Sequence, residues 1–234
     1  MSVKYPKFLL FGDSITEWSY TDGGFGQKIS EVYARRYDII CRGFGGYNSD
    51  HATLILPEIL KDDKFQIMTI FFGTNDAFST FQGVPLERYS ENIDYLVKLA
   101  LKDNIKVVVI SPALHDPTLF LEASGEKEPI GSVGTNQKYA AAAKKVANDN
   151  DVGFVDLFTS FQNSGLSVKD LLWDGIHFTP NAYKLLFEEL MKSIREKYPE
   201  EDPKTMAPSL TYWNQLADCQ GDLEKMKKKL FHLD

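Results

Sequence analysis

Apolar residues in this chain fall in short continuous runs rather than in strict alternation. The runs cover residues 8–11, 37–41, 65–73, 105–110 and 152–157, the second being the weakest. Continuous hydrophobicity of that length marks strands covered on both faces, as in a parallel sheet. Between the runs, apolar positions recur at helical spacing. Residues 49–60 carry Leu54, Ile55 and Ile59, and residues 86–102 carry Tyr89, Ile93, Leu96, Val97 and Ala100. Residues 134–150 are rich in Ala and Lys, and residues 181–198 repeat Leu185, Leu186, Leu190 and Ile194. This βαβα alternation predicts an α/β three-layer sandwich. Its core is a five-stranded parallel, flavodoxin-like sheet with right-handed crossovers. With strand order 2-1-3-4-5, the loops after strands 1, 2 and 3 become neighbours at the switch point, where such sheets bind ligands.

The pattern changes after residue 198. Pro199, Pro203 and Pro208 interrupt the chain, and Trp213 is the one large anchor near the end of that stretch. The expected organisation is a domain over residues 1–198, then a tail over 199–234 that wraps the domain. A short amphipathic helix is expected near residues 216–231. Trp213, Leu216, Leu223 and Phe231 offer apolar surface for packing on the domain or for a homodimer. The Lys227–Lys229 run reads as a solvated helix end.

Composition narrows the function classes. The 234 residues are 43% hydrophobic and 25% charged, with a net charge of −7. That excludes whole-chain disorder and argues against a nucleic-acid binder, which needs a basic face. No apolar run approaches the ~18 residues of a membrane span. The start of the chain carries no apolar stretch of signal length, which predicts a cytosolic protein. Two cysteines, Cys41 and Cys219, make neither a disulfide framework nor a metal site, so no metal or cofactor is expected.

Four segments carry chemistry. Gly12-Asp13-Ser14-Ile15 follows the first strand, where a serine either caps a helix or presents an exposed nucleophilic Oγ. Arg42-Gly-Phe-Gly-Gly-Tyr-Asn48 follows the second strand, and its glycines let backbone N–H groups approach a ligand closely, though the segment alone reads as a flexible turn. It lacks the Gly-Lys-Ser/Thr of a phosphate loop. Asn75, in Gly73-Thr-Asn-Asp76, has a carboxamide able to donate to an oxyanion. In Asp174-Gly-Ile-His177 the spacing lets the carboxylate hold Nδ1–H and free Nε2 to accept a proton. Thr179-Pro180 behind it reads as a helix start. His51 and His115 are the other candidate bases, but neither has an Asp three residues before it.

Taken in order, these four blocks resemble the SGNH hydrolases, also called GDSL-type esterases and lipases, over residues 7–195. The stretches 7–17, 42–47, 55–60 and 198–206 are similar to the isoamyl-acetate-hydrolysing esterase branch of that family. The resemblance implies a serine esterase acting on small carboxylic esters, with short acyl groups, acetate above all, and a medium alkyl alcohol. It implies Ser14 as nucleophile, His177 as base and Asp174 as its partner. It implies an oxyanion hole made of Ser14 N–H, Gly46 N–H and Asn75. The family commonly has an Asn before the Gly-rich block, where Cys41 or Arg42 stands here, so Gly45 is the alternative donor.

Asp13 is expected to act by hydrogen bonding behind the nucleophile. The loops over residues 76–85 and 111–133 offer Phe78, Phe81, Leu114, Leu119 and Phe120 as pocket lining, and Trp173 adjoins Asp174. Phe78 and Phe120 would equally serve to anchor their loops. A thioesterase or lysophospholipase would use the same machinery with a longer groove. A non-catalytic binding module would be expected to have lost one of the four polar residues. An FMN protein would need a first loop richer in Ser, Thr or Gly.

Overall fold

Phe8 and Leu10 face one apolar core while Leu9 and Phe11 face another, so β1 (Lys7–Gly12) is covered on both sides. This is why its apolar run is unbroken. The structure, a computed structural model, describes residues 4–125 and 127–231. The start of the chain, read above for a leader, therefore lies partly outside the described residues.

After β1 come α1 (Ser14–Glu17), α2 (Phe25–Val32), β2 (Asp38–Gly43) and α3 (Ser49–Asp62). Then follow β3 (Ile67–Phe71), α4 (Leu86–Lys102), β4 (Lys106–Ile110), α5 (Pro117–Ser124) and α6 (Val133–Asp149). The chain continues through β5 (Gly153–Val155), α7 (Leu157–Gln162), α8 (Val168–Leu171), α9 (Pro180–Lys197) and α10 (Leu223–Leu230). The sheet order is β2-β1-β3-β4-β5 and every pair is parallel. Helices α2, α7, α8 and α9 bury their apolar faces on one side of the sheet, and α3, α4 and α6 on the other. The expected three-layer α/β architecture is present.

The departures have local causes. β2 is an edge strand with Asp38 and Arg42 exposed, so its apolar signal is weak. It starts one residue later than expected, because Tyr37 turns its ring onto Phe8 and Tyr33. β5 spans only Gly153–Val155, because the Asp156 carboxylate accepts from Thr159 N and starts α7 at Leu157. The loop expected over residues 111–133 contains α5. Asp116 caps it through Thr118 N and Leu119 N, with Pro117 at its first position. α2 has no side-chain cap, only Gly24, and so lacks a start signal.

In the tail, Trp213 is not the anchor: it is 84% exposed. The anchor is Glu201. Its carbonyl accepts from Tyr33 Oη at 2.7 Å and its carboxylate from Tyr37 Oη at 2.5 Å. Lys106 pairs with Glu201 and, at 2.8 Å, with Glu200. Further along, Arg36 Nε donates to Met206 O and Ser209 N to Arg35 O. The helix expected near residues 216–231 is broken by Gln220 and Gly221, both at positive φ, into a 3-10 turn and α10. No helix among the described residues is long and apolar enough to cross a membrane.

Candidate active site

The ends of β1, β2 and β3 are tied together by backbone bonds. Phe44 N donates to Gly12 O at 2.9 Å and Asp13 N donates to Phe71 O at 3.3 Å. A Cβ at Gly12 would stand 2.7 Å from Phe71 O, so the close approach of these strands requires glycine there. Asp13, not Ser14, is the helix cap: its Oδ1 accepts from Ile15 N at 3.0 Å. Ser14 is thereby the first residue of α1, half-buried, with an amide that has no partner within the helix.

The Asp174–His177 turn comes over from the far end of the chain. Asp174 Oδ1 accepts from His177 N at 2.7 Å and from Ile176 N at 3.0 Å. Its Oδ2 lies 2.6 Å from His177 Nδ1. Nδ1–H donates to that oxygen, leaving Nε2 as an acceptor, and Nε2 lies 3.0 Å from Ser14 Oγ. Burial works against ionisation of Asp174. The hydrogen bonds from the His177 ring and backbone outweigh it and hold the carboxyl below its ordinary value. Behind the turn, Thr179 caps α9 through Ala182 N and Pro180 follows at its first position.

Aromatic rings and a second histidine hold His177 in place. Trp18 lies 4.4 Å from the imidazole, centroid to centroid, and Trp173 stacks on it at 5.7 Å. Gly175, at φ 90°, puts its carbonyl within reach of His115 Nδ1 at 3.1 Å and of Asp116 N at 2.9 Å. His115 is buried and supports the turn from below, and burial lowers its pKa. His51 is held at the start of α3, where its Nδ1 accepts from Asn48 N at 3.1 Å. Neither histidine is the one beside Ser14.

On the other side of Ser14 lies the Gly-rich segment. Gly45 N donates to Glu17 Oε2, so that N–H is already engaged. Gly46 has φ 77°, a left-handed backbone that glycine adopts without strain. Asn75 is buried, and its Nδ2 donates one hydrogen to Tyr47 O at 2.8 Å. The neighbouring Asp76 accepts from Ser49 N with both oxygens, at 3.0 and 3.2 Å. Burial raises its pKa to about 6. Burial likewise raises Asp13 to about 7, against the pull of Ile15 N–H and the nearby His177.

The expected pocket residues divide. Trp173 is half-exposed beside His177. Phe78 and Phe120 pack with His115 in one cluster and so anchor their loops. Leu114 is half-buried against the core, and Phe81 is 96% exposed and encloses nothing by itself. Trp18, Glu17, Gln82 and the supporting role of His115 lie outside the four sequence blocks. Trp18 was legible in part, since it lies one helical turn after Ser14.

Fold and site define a class. The chain belongs to the GDSL-like lipase/acylhydrolase family, whose pattern matches residues 10–185. Its class is that of the carboxylic ester hydrolases. It is 40% identical to the isoamyl acetate-hydrolyzing esterase of Saccharomyces cerevisiae, over 92% of this chain and 96% of that one. It is 32% identical to the isoamyl acetate-hydrolyzing esterase 1 homolog of Homo sapiens, over 94% and 91% respectively. Among solved structures, a lipase/acylhydrolase from Enterococcus faecalis superposes with a TM-score of 0.70 at 20% identity. That match covers 88% of this chain and all of that one.

Proposed function

We propose that this chain is a serine esterase that hydrolyses small carboxylic esters through an acyl-enzyme on Ser14. The observation that carries it is the continuous line from Asp174 Oδ2 through His177 to Ser14 Oγ, at 2.6 and 3.0 Å. Ser14 Oγ attacks the ester carbonyl while His177 Nε2 takes its proton. Asp174 stabilises the imidazolium that forms. The oxyanion is held by Ser14 N–H, Gly46 N–H and the second hydrogen of Asn75 Nδ2. Gly46 is preferred to Gly45 because Glu17 already engages the Gly45 N–H. The C–O bond breaks and the alcohol leaves with the proton from His177. Water, deprotonated by the same imidazole, then releases the acid and restores Ser14.

For substrate, the reading is a short acyl group, acetate above all, on a medium alkyl alcohol. The two relatives named for isoamyl acetate support it, as does the indole surface of Trp18 and Trp173 beside the histidine. Hydrolysis of p-nitrophenyl esters from acetate to decanoate tests it, with Ser14→Ala in parallel. The expected result is activity that falls with chain length and a loss of kcat of about 10⁴-fold or more in the variant. A maximum at long chains would favour a thioesterase or lysophospholipase. Activity indifferent to Ser14 would end the acyl-enzyme reading.

A further inference from the structure

Gln82 lies between β3 and α4, outside all four sequence blocks. Its carboxamide nitrogen donates to Gly46 O at 2.8 Å and approaches Asn75 Oδ1 at 3.4 Å. The Gln82 backbone carbonyl accepts from Asn48 Nδ2 at 2.8 Å, which ties this loop to the cap of α3. One NH₂ group therefore meets both segments that flank Ser14 on the oxyanion side. From these contacts we infer that Gln82 is a positioning residue, orienting the Asn75 carboxamide and the Gly46 peptide for the oxyanion. The inference rests on the oxyanion-hole reading given above.

Donors and acceptors around Asn75 decide which way its carboxamide faces. An amide can flip about its last torsion and present oxygen where nitrogen is needed. With Tyr47 O on one side and Gln82 Nε2 on the other, a flip would set acceptor against acceptor and donor against donor. Only one orientation satisfies both neighbours, and it keeps the second Nδ2 hydrogen for the ligand. At Gly46 the peptide planes on either side are held. Glu17 holds the plane that carries Gly45 N–H, and Gln82 holds the plane that carries Gly46 C=O. The peptide carrying Gly46 N–H lies between these two fixed planes. Without them, two consecutive glycines would leave it free to rotate. Donors aimed before the charge develops need no reorganisation when it does, which is where oxyanion stabilisation comes from.

A double-mutant cycle on p-nitrophenyl acetate separates positioning from plain loop support. Asn75→Ala is expected to lower kcat by about 10²–10³, the usual effect of losing one oxyanion donor. Gln82→Ala is expected to lower kcat about tenfold with KM within about twofold, because the contact acts on the transition state. In the Asn75→Ala background its further effect should shrink to about threefold or less. Gln82→Glu keeps the size but sets a carboxylate against two acceptors, and should fall below Gln82→Ala in kcat. It also carries the test if Gln82→Ala does not fold. Full multiplicativity in the cycle, a change in KM alone, or wild-type kcat in Gln82→Glu would each overturn the inference. If Asn75→Ala itself kept wild-type kcat, the oxyanion reading would fall and this inference with it. If Asn75→Ala is impaired while both Gln82 variants are normal, only the inference falls.

Discussion

Asp13 is a carboxyl group shut away from solvent. It is buried at the end of β1, its Oδ1 occupied by Ile15 N and its Oδ2 without a hydrogen-bond partner among the described residues. Burial raises its pKa to about 7, whereas in the unfolded chain an aspartate titrates near about 4. Between those values the folded state keeps a proton that the unfolded state has lost. Stability therefore falls as pH rises through that window, and levels off above it. Asp13→Asn keeps the Oδ1 acceptor and removes the ionisation. Its urea midpoint, relative to wild type, should rise from pH 4 to pH 7 and then stay constant. A difference that does not change with pH would show that Asp13 is ionised throughout. Asp76, raised to about 6 by burial, adds a slope of the same sign that persists in the variant. The two acids and Asn75 were legible as motif members. Their burial was not, because it depends on segments distant in sequence, such as the start of α3 over Asp76.

Among the elements, α5 and the Asp174–His177 turn are fitted to each other without slack. A Cβ at Gly175 would stand 2.4 Å from Asp116 O and 2.6 Å from Phe120 N, and φ 90° disfavours any side chain there. Gly175→Ala must therefore shift the turn away from α5, and His177 with it. A misplacement of about 1 Å can cost about 10²-fold in rate, so kcat should fall by that order. Far-ultraviolet circular dichroism should stay native, since only one turn moves. An unchanged kcat would mean that the turn does not need α5 behind it. The spacing of Asp174 and His177 was legible because three residues of a tight turn bring their side chains together locally. The support from His115 and α5 was not legible. Some 60 residues of chain separate His115 from Gly175, so their contact forms only when the chain folds.

Over the whole molecule, Glu201 is the most buried acid that holds the tail on the domain, with Arg35 and Arg36 bonding it further along. Glu201 is 4% exposed and accepts from Tyr33 and Tyr37 on the segment before β2 and from Lys106 on β4. Removing one partner of a buried ion pair costs about 3–5 kcal/mol. Lys106 keeps Glu200, so Glu201→Ala should fall toward the lower value. In a chain of this size that is a fall in Tm of about 6–12 °C. Calorimetry would show it, and a shift under about 2 °C would mean that the tail is held mainly by Arg35 and Arg36. The esterase activity per folded molecule should not change, since the anchor lies at Lys106, the N-terminal end of β4, whereas Ser14 follows the C-terminal end of β1.

The strand order 2-1-3-4-5 was a premise that the sheet bears out, while by itself the sequence determined the layers and singled out the Ser14, Asn75 and Asp174–His177 blocks as candidates. These follow from local rules: apolar runs make buried strands, helical spacing makes their covers, and short turns place chemistry at strand ends. Only the tertiary structure decided what surrounds those residues. Which N–H of the Gly-rich segment is already engaged depends on Glu17, and which way Asn75 faces depends on Gln82. Trp18 and Trp173 flank His177, and Glu201 holds the tail in place of Trp213. Each of these is a contact between side chains on separate elements, and periodicity along one segment carries no information about which elements will meet.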